Sequence, residues 1–114
     1  MVQGHKIERR RHSRKRFSGL LPGPLYLETN RKKSLQCKPI DISKNGLGLL
    51  IAEEIPKDAI LILVTKEQEI PFKIAWQRPD FGKEELIRYG LEIVDPELDI
   101  EEIFIKSGCL IDPI

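Results

Sequence analysis

The stretch Pro39-Ile40-Asp41-Ile42-Ser43-Lys44-Asn45-Gly46-Leu47-Gly48-Leu49 decides how the chain is read. It is a strand end, a polar turn and the start of the next strand. Ile40 and Ile42 are β-branched, and Leu47, Leu49 and Ile51 restart an alternating pattern beyond the turn. Asn45-Gly46 supplies residues that tolerate positive φ, as a tight hairpin requires. The chemistry before it exceeds what a hairpin needs. Asp41 is an acceptor-only carboxylate, Ser43 is a short hydroxyl two residues on, and Gly46 is a point of close backbone approach. Asp41 and Ser43 can bond the backbone of their own loop, or they can face a ligand.

Outward from this turn the chain reads as strands. Leu25 to Thr29 alternates, Asn30 to Lys33 is a polar loop, and Leu35 to Ile42 leads into the turn. Leu47 to Ala52 follows, ended by Glu53, Glu54 and Pro56. Ala59 to Val64 is unbroken apolar sequence, which predicts a strand buried on both faces or covering a barrel interior. In Glu69 to Gln77 the residues Ile70, Phe72, Ile74 and Trp76 alternate, which places all four on the core face. Pro71 argues against a fully central position near the start of that strand. Leu86 to Val94 is the sixth strand. After Asp95-Pro96 the period changes. Asp99 with Glu102 predicts a capping box, Ile100, Ile103 and Phe104 share a helical face, and Gly108 stops the helix.

A chain of 114 residues with 40% hydrophobic content is one folded domain. No apolar run approaches the roughly 20 residues of a membrane helix, and no apolar segment follows the basic N-terminus as in a signal peptide. A cytoplasmic location is therefore expected. Cys37 and Cys109 are not spaced as metal ligands and are expected to be reduced core thiols. His5 and His12 sit in the basic arm and are read as solvated.

The formal net charge of +1 conceals a strong asymmetry. Residues 1–38 hold eleven Lys/Arg against two Glu, and the remainder holds eight basic against sixteen acidic residues. The first third therefore suits an anionic partner. Residues 1–17 have no apolar periodicity and are expected to be an arm that is loose before it binds. Within it, Arg10 and Arg14 are four apart, flanked by Arg9 and Arg11. A planar guanidinium pairs bidentately with phosphate and stacks on rings, so two of them can grip one compact anion. On composition alone a nucleic-acid arm or a solvated tail is favoured over a dedicated anion clamp.

Arg-x-x-x-Arg in a basic arm, followed by Asp-x-Ser-x-x-Gly (Asp41 to Gly46), resembles the PilZ domain, a bacterial receptor for cyclic di-GMP. Gly46-Leu47-Gly48-Leu49, Ile74-Ala75-Trp76 and Arg88-Tyr89-Gly90-Leu91-Glu92-Ile93 continue the likeness over roughly residues 8 to 106. The resemblance implies a mostly β fold: a six-stranded antiparallel β-barrel over residues 18–96, with the arm at 1–17 and a C-terminal helix at 97–108. It implies that Arg10 and Arg14 clamp phosphate and guanine, that Asp41 reads guanine, that Ser43 bonds ligand or turn, and that Gly46 lets the ligand approach. Arg9, Arg11 and Lys44 are secondary candidates. Guanine suits these groups: O6 and N7 accept from arginine, while N1–H and N2–H donate to a carboxylate. The implied function is a non-catalytic receptor whose arm orders on binding and changes a protein-interaction surface. No cofactor beyond that ligand and no metal are expected, and the downstream protein partner is unnamed.

Three other classes compete. A small barrel binding nucleic acid through the arm would show exposed aromatics for base stacking, whereas Trp76 and Phe72 read as core. A PilZ-like docking module without ligand would not need intact motifs. An enzyme would need a nucleophile–base pair, a metal-spaced cluster or a Gly-rich phosphate loop, and the chain has none of these patterns.

Overall fold

The computed structural model describes residues 16–17, 19–79 and 86–111. Its six principal strands are those read from the sequence: β2 (Leu25–Leu27), β3 (Cys37–Ile42), β4 (Gly46–Ile51), β5 (Ile60–Val64), β6 (Glu69–Pro79) and β7 (Ile87–Ile93). All pairings are antiparallel, in the order β2-β5-β6-β7-β4-β3. The sheet curls into a half-barrel. Its edge strands β2 and β3 do not pair with each other.

The concave face holds the core. Leu47, Leu49 and Ile51 of β4 alternate inward, as do Tyr89, Leu91 and Ile93 of β7. Leu61 and Leu63 of β5 join them, while Ile62 is buried on the other face, as an unbroken apolar strand requires. Pro71 is tolerated inside the sheet because it lies just past the end of the β6–β7 ladder, which starts at Phe72–Ile93. Its carbonyl still accepts from the Val94 N–H at 3.1 Å.

Helix α1 (Ile100–Lys106) lids one end of this core with Ile100 and Phe104, both fully buried. The Asp99 carboxylate accepts from the Glu102 N–H at 3.1 Å, and Gly108 ends the helix at φ +78°. Only half of the predicted capping box is made. The Glu102 carboxylate instead pairs with Lys106 one turn later, at 3.4 Å.

Two short strands lie outside the sequence reading. β1 (Arg16–Phe17) pairs antiparallel with β8 (Leu110–Ile111), directly after the helix. The last two residues counted with the arm are thus strand, tied to the C-terminal segment. Such two-residue strands have no periodicity to detect.

Candidate functional site

Two one-residue irregularities in the sheet build the site. β3 and β4 pair Pro39 with Leu49, then Asp41 with Gly48, so Ile40 is an extra residue on β3. β6 and β7 pair Ile74 with Leu91, then Trp76 with Gly90, so Ala75 is extra on β6. Each bulge reverses the in–out alternation beyond it. Without the first, Asp41 would point inward with Cys37 and Pro39. Without the second, Trp76 would follow Ile70, Phe72 and Ile74 into the core.

The prediction that Trp76 lies on the core face is therefore corrected. Phe72 is fully buried, but Trp76 is 43% exposed on the convex face. The bulge at Ala75 is invisible to a period-2 reading.

On that face one row runs Asp41, Gly48, Gly90, Trp76 across β3, β4, β7 and β6. The central glycines are required by their neighbours. A β-carbon on Gly48 would overlap the Asp41 carboxylate, and one on Gly90 would overlap the Trp76 indole. Carboxylate and indole thus lie down over bare backbone and frame an open groove of about 470 Å³. Ser43, Asn45, Gly46 and Glu92 line the same groove.

The turn below the row differs from the sequence reading in its backbone. Among the described residues only Gly19 and Gly108 have positive φ, so Asn45-Gly46 is not a positive-φ pair. Ser43 N–H donates to the Gly46 carbonyl at 3.0 Å, and the turn is held from outside. The Ile100 N–H donates to the Lys44 carbonyl at 2.9 Å, and the Ile93 N–H donates to the Asn45 carbonyl at 3.0 Å. Gly46 has its own reason to lack a side chain: a β-carbon there would overlap the Leu91 carbonyl of β7.

Charge on this face is arranged in rows. Arg88 lies directly opposite Arg78, two pairs along from Gly90–Trp76 and on the same face. The Arg78 guanidinium sits 5.0 Å from the Trp76 ring centroid, a cation–π contact. An Arg88 Nη2 lies 3.5 Å from Asp41 Oδ2. On the other side of the glycines, Lys73 and Glu92 pair across β6 and β7 at 3.5 Å. Among the described residues, neither Asp41 nor Ser43 bonds the turn's own backbone with its side chain, so the purely local reading of these residues is not what forms.

Of the residues singled out from the sequence, Asp41, Ser43 and Gly46 meet in the groove. Lys44 is exposed in the turn and does not line it. Arg9, Arg10, Arg11 and Arg14 lie outside the described residues. Trp76, Arg78, Arg88, Gly48 and Gly90 were not singled out as site residues. Glycine at two outward positions of neighbouring strands was the available signal. Among the described residues no group of three His, Cys, Asp or Glu is placed to hold a metal ion. None of their helices is long and apolar enough to cross a membrane.

No curated protein and no solved structure matches the chain. A family model does: the PilZ domain matches residues 8–106, nearly the whole length. The half-barrel, the Asp-x-Ser-x-x-Gly hairpin and the terminal helix agree with that match, and the chain belongs to the PilZ domain family.

Proposed function

We propose that the chain is a non-catalytic receptor for cyclic di-GMP, the ligand PilZ domains generally bind. The observation that carries this reading is the row Asp41–Gly48–Gly90–Trp76, in which a carboxylate laid over Gly48 and an aromatic plane laid over Gly90 border one groove. A guanine base in this groove can donate N1–H and N2–H to Asp41 and stack against Trp76. Ser43 is within the same groove for a ribose or phosphate oxygen.

Arg10 and Arg14 complete the site in this reading by pairing with phosphate and with the guanine O6/N7 edge, and the arm orders as they do so. Each charge-assisted hydrogen bond contributes on the order of 1.5–3 kcal/mol. A few of them, less the cost of ordering the arm, support affinity around micromolar or tighter. No further cofactor is required. The ordered arm then offers a changed surface to a protein partner.

An exposed Trp76 with Arg78 over its ring is also the kind of pair that stacks on single-stranded nucleic acid, so the test includes that partner. Titration calorimetry with cyclic di-GMP, GTP, single-stranded DNA and a short DNA duplex separates the readings. Saturable binding to the cyclic dinucleotide alone is expected, abolished in Arg14→Ala and Asp41→Ala, with amide exchange in residues 5–15 slowed by ligand. Salt-dependent binding to DNA with no response to the dinucleotide would move the function to the nucleic-acid class.

A further inference from the structure

We propose that Arg88 is a positioning residue for base recognition, holding the Asp41 carboxylate in the orientation that selects guanine. The inference rests on the cyclic di-GMP reading of the groove. Asp41 sits on β3, an edge strand, and its side chain is 66% exposed. A carboxylate so placed is free to turn into solvent unless something holds it. Arg88 is the ionic partner it has among the described residues, at 3.5 Å.

The geometry makes this contact directional. Asp41 pairs with Gly48 on β4, and Gly48 pairs with Gly90 on β7, two residues beyond Arg88. With no side chain on Gly48, the guanidinium reaches diagonally across β4 to the carboxylate. Arg88 is itself confined. Its side chain is 30% exposed, it stands between Leu50 and Arg78 in its row, and its Nε is buried without a hydrogen-bond partner. Arg78 directly opposite repels it, and Arg78 is in turn drawn over the Trp76 ring. Among the described residues, the carboxylate that relieves this pair of like charges is Asp41. Oδ2 therefore turns to Arg88 and Oδ1 lies over Gly48, which fixes the carboxylate at two points.

A fixed carboxylate matches the paired N1–H and N2–H donors of guanine; adenine lacks that pair. Exposed ion pairs add little to stability, so the contact's effect falls on recognition rather than on folding.

The experiment is calorimetry of the full chain with cyclic di-GMP and cyclic di-AMP, on wild type, Arg88→Gln, Arg88→Lys, Asp41→Asn and the double variant Asp41→Asn/Arg88→Gln. The expected result is a five- to thirty-fold loss of cyclic di-GMP affinity in Arg88→Gln, a smaller ratio of the two affinities, and partial rescue by Arg88→Lys. The double variant binds no more weakly than Asp41→Asn alone, because Arg88 acts through Asp41. Equal losses from Arg88→Gln with and without Asp41 would make Arg88 a direct ligand contact and overturn the proposal. So would an unchanged affinity ratio in a variant whose parent binds. Absence of cyclic di-GMP binding by the wild type would instead overturn the receptor reading on which the proposal stands. Thermal melting of each variant separates a folding defect from a recognition defect.

Discussion

Gly90 is the residue on which the convex face depends most directly, because the indole of Trp76 occupies the space its side chain would fill. Trp76 is the only tryptophan in the chain, so the protein's tryptophan fluorescence reports the surroundings of this one ring. In Gly90→Ala the methyl displaces the ring outward from the sheet. The emission maximum is expected to move to longer wavelength, and cyclic di-GMP affinity to fall about tenfold, which corresponds to about 1.4 kcal/mol. An unchanged spectrum together with unchanged affinity would mean that the indole does not lie on the glycine. Asp41, Ser43 and Gly46 were legible in the sequence because their types and spacing carry chemistry. Gly48 and Gly90 were legible only as residues, since what they accommodate sits on other strands. Trp76 was recognised as a landmark and assigned to the wrong face. Nothing in Ile74-Ala75-Trp76 marks the bulge that turns it out, which depends on pairing with β7.

At the scale of elements, the six strands and the helix were readable because each carries its own period, and the helix carries its own cap. Sheet order was not readable, because it depends on which strands meet. The short β1–β8 pair was missed for want of length. The helix shows how little local signal is needed when packing supplies the rest. Seven residues would not hold a helix in water, yet Ile100 and Phe104 bury completely and the Ile100 N–H bonds the carbonyl of Lys44 in the signature turn. The cap and the packing differ in magnitude. Asp99→Ala removes the bond to the Glu102 N–H and is expected to lower unfolding free energy by about 1 kcal/mol. Phe104→Ala leaves a cavity under the lid and is expected to cost about 3–5 kcal/mol. Urea denaturation of the two variants checks the order. A larger loss from the cap than from the phenylalanine would show that the helix is held by its terminus and not by the core.

For the whole molecule, pH acts through groups buried neutral. Burial pushes the Cys37 thiol from its ordinary 9.0 up to about 11. Tyr89 is displaced in the same direction, chiefly by burial of its ring between the sheet and the 53–55 loop. Its hydroxyl accepts from the Ile55 N–H at 2.8 Å and donates to the Glu53 carbonyl at 3.0 Å. That donation requires the proton. Both groups hold their protons more tightly folded than unfolded, so their contribution is complete below pH 9 and is lost as pH rises. For Cys37 the window runs from 9.0 to about 11, with a slope of at most one proton, or about tenfold in the folding constant per pH unit. Denaturation midpoints should hold level from neutrality to about pH 9 and then fall. In Cys37→Ala the decline should be shallower between those limits, whatever the variant's stability at neutral pH, because the titrating group is gone and Tyr89 remains. A decline of equal steepness in wild type and variant would place the alkaline sensitivity elsewhere. A fall below pH 9 would contradict the direction of both shifts. The same burial keeps the thiolate fraction at Cys37 below that of an ordinary thiol at pH 8. The thiol should therefore resist alkylation until the protein begins to lose stability.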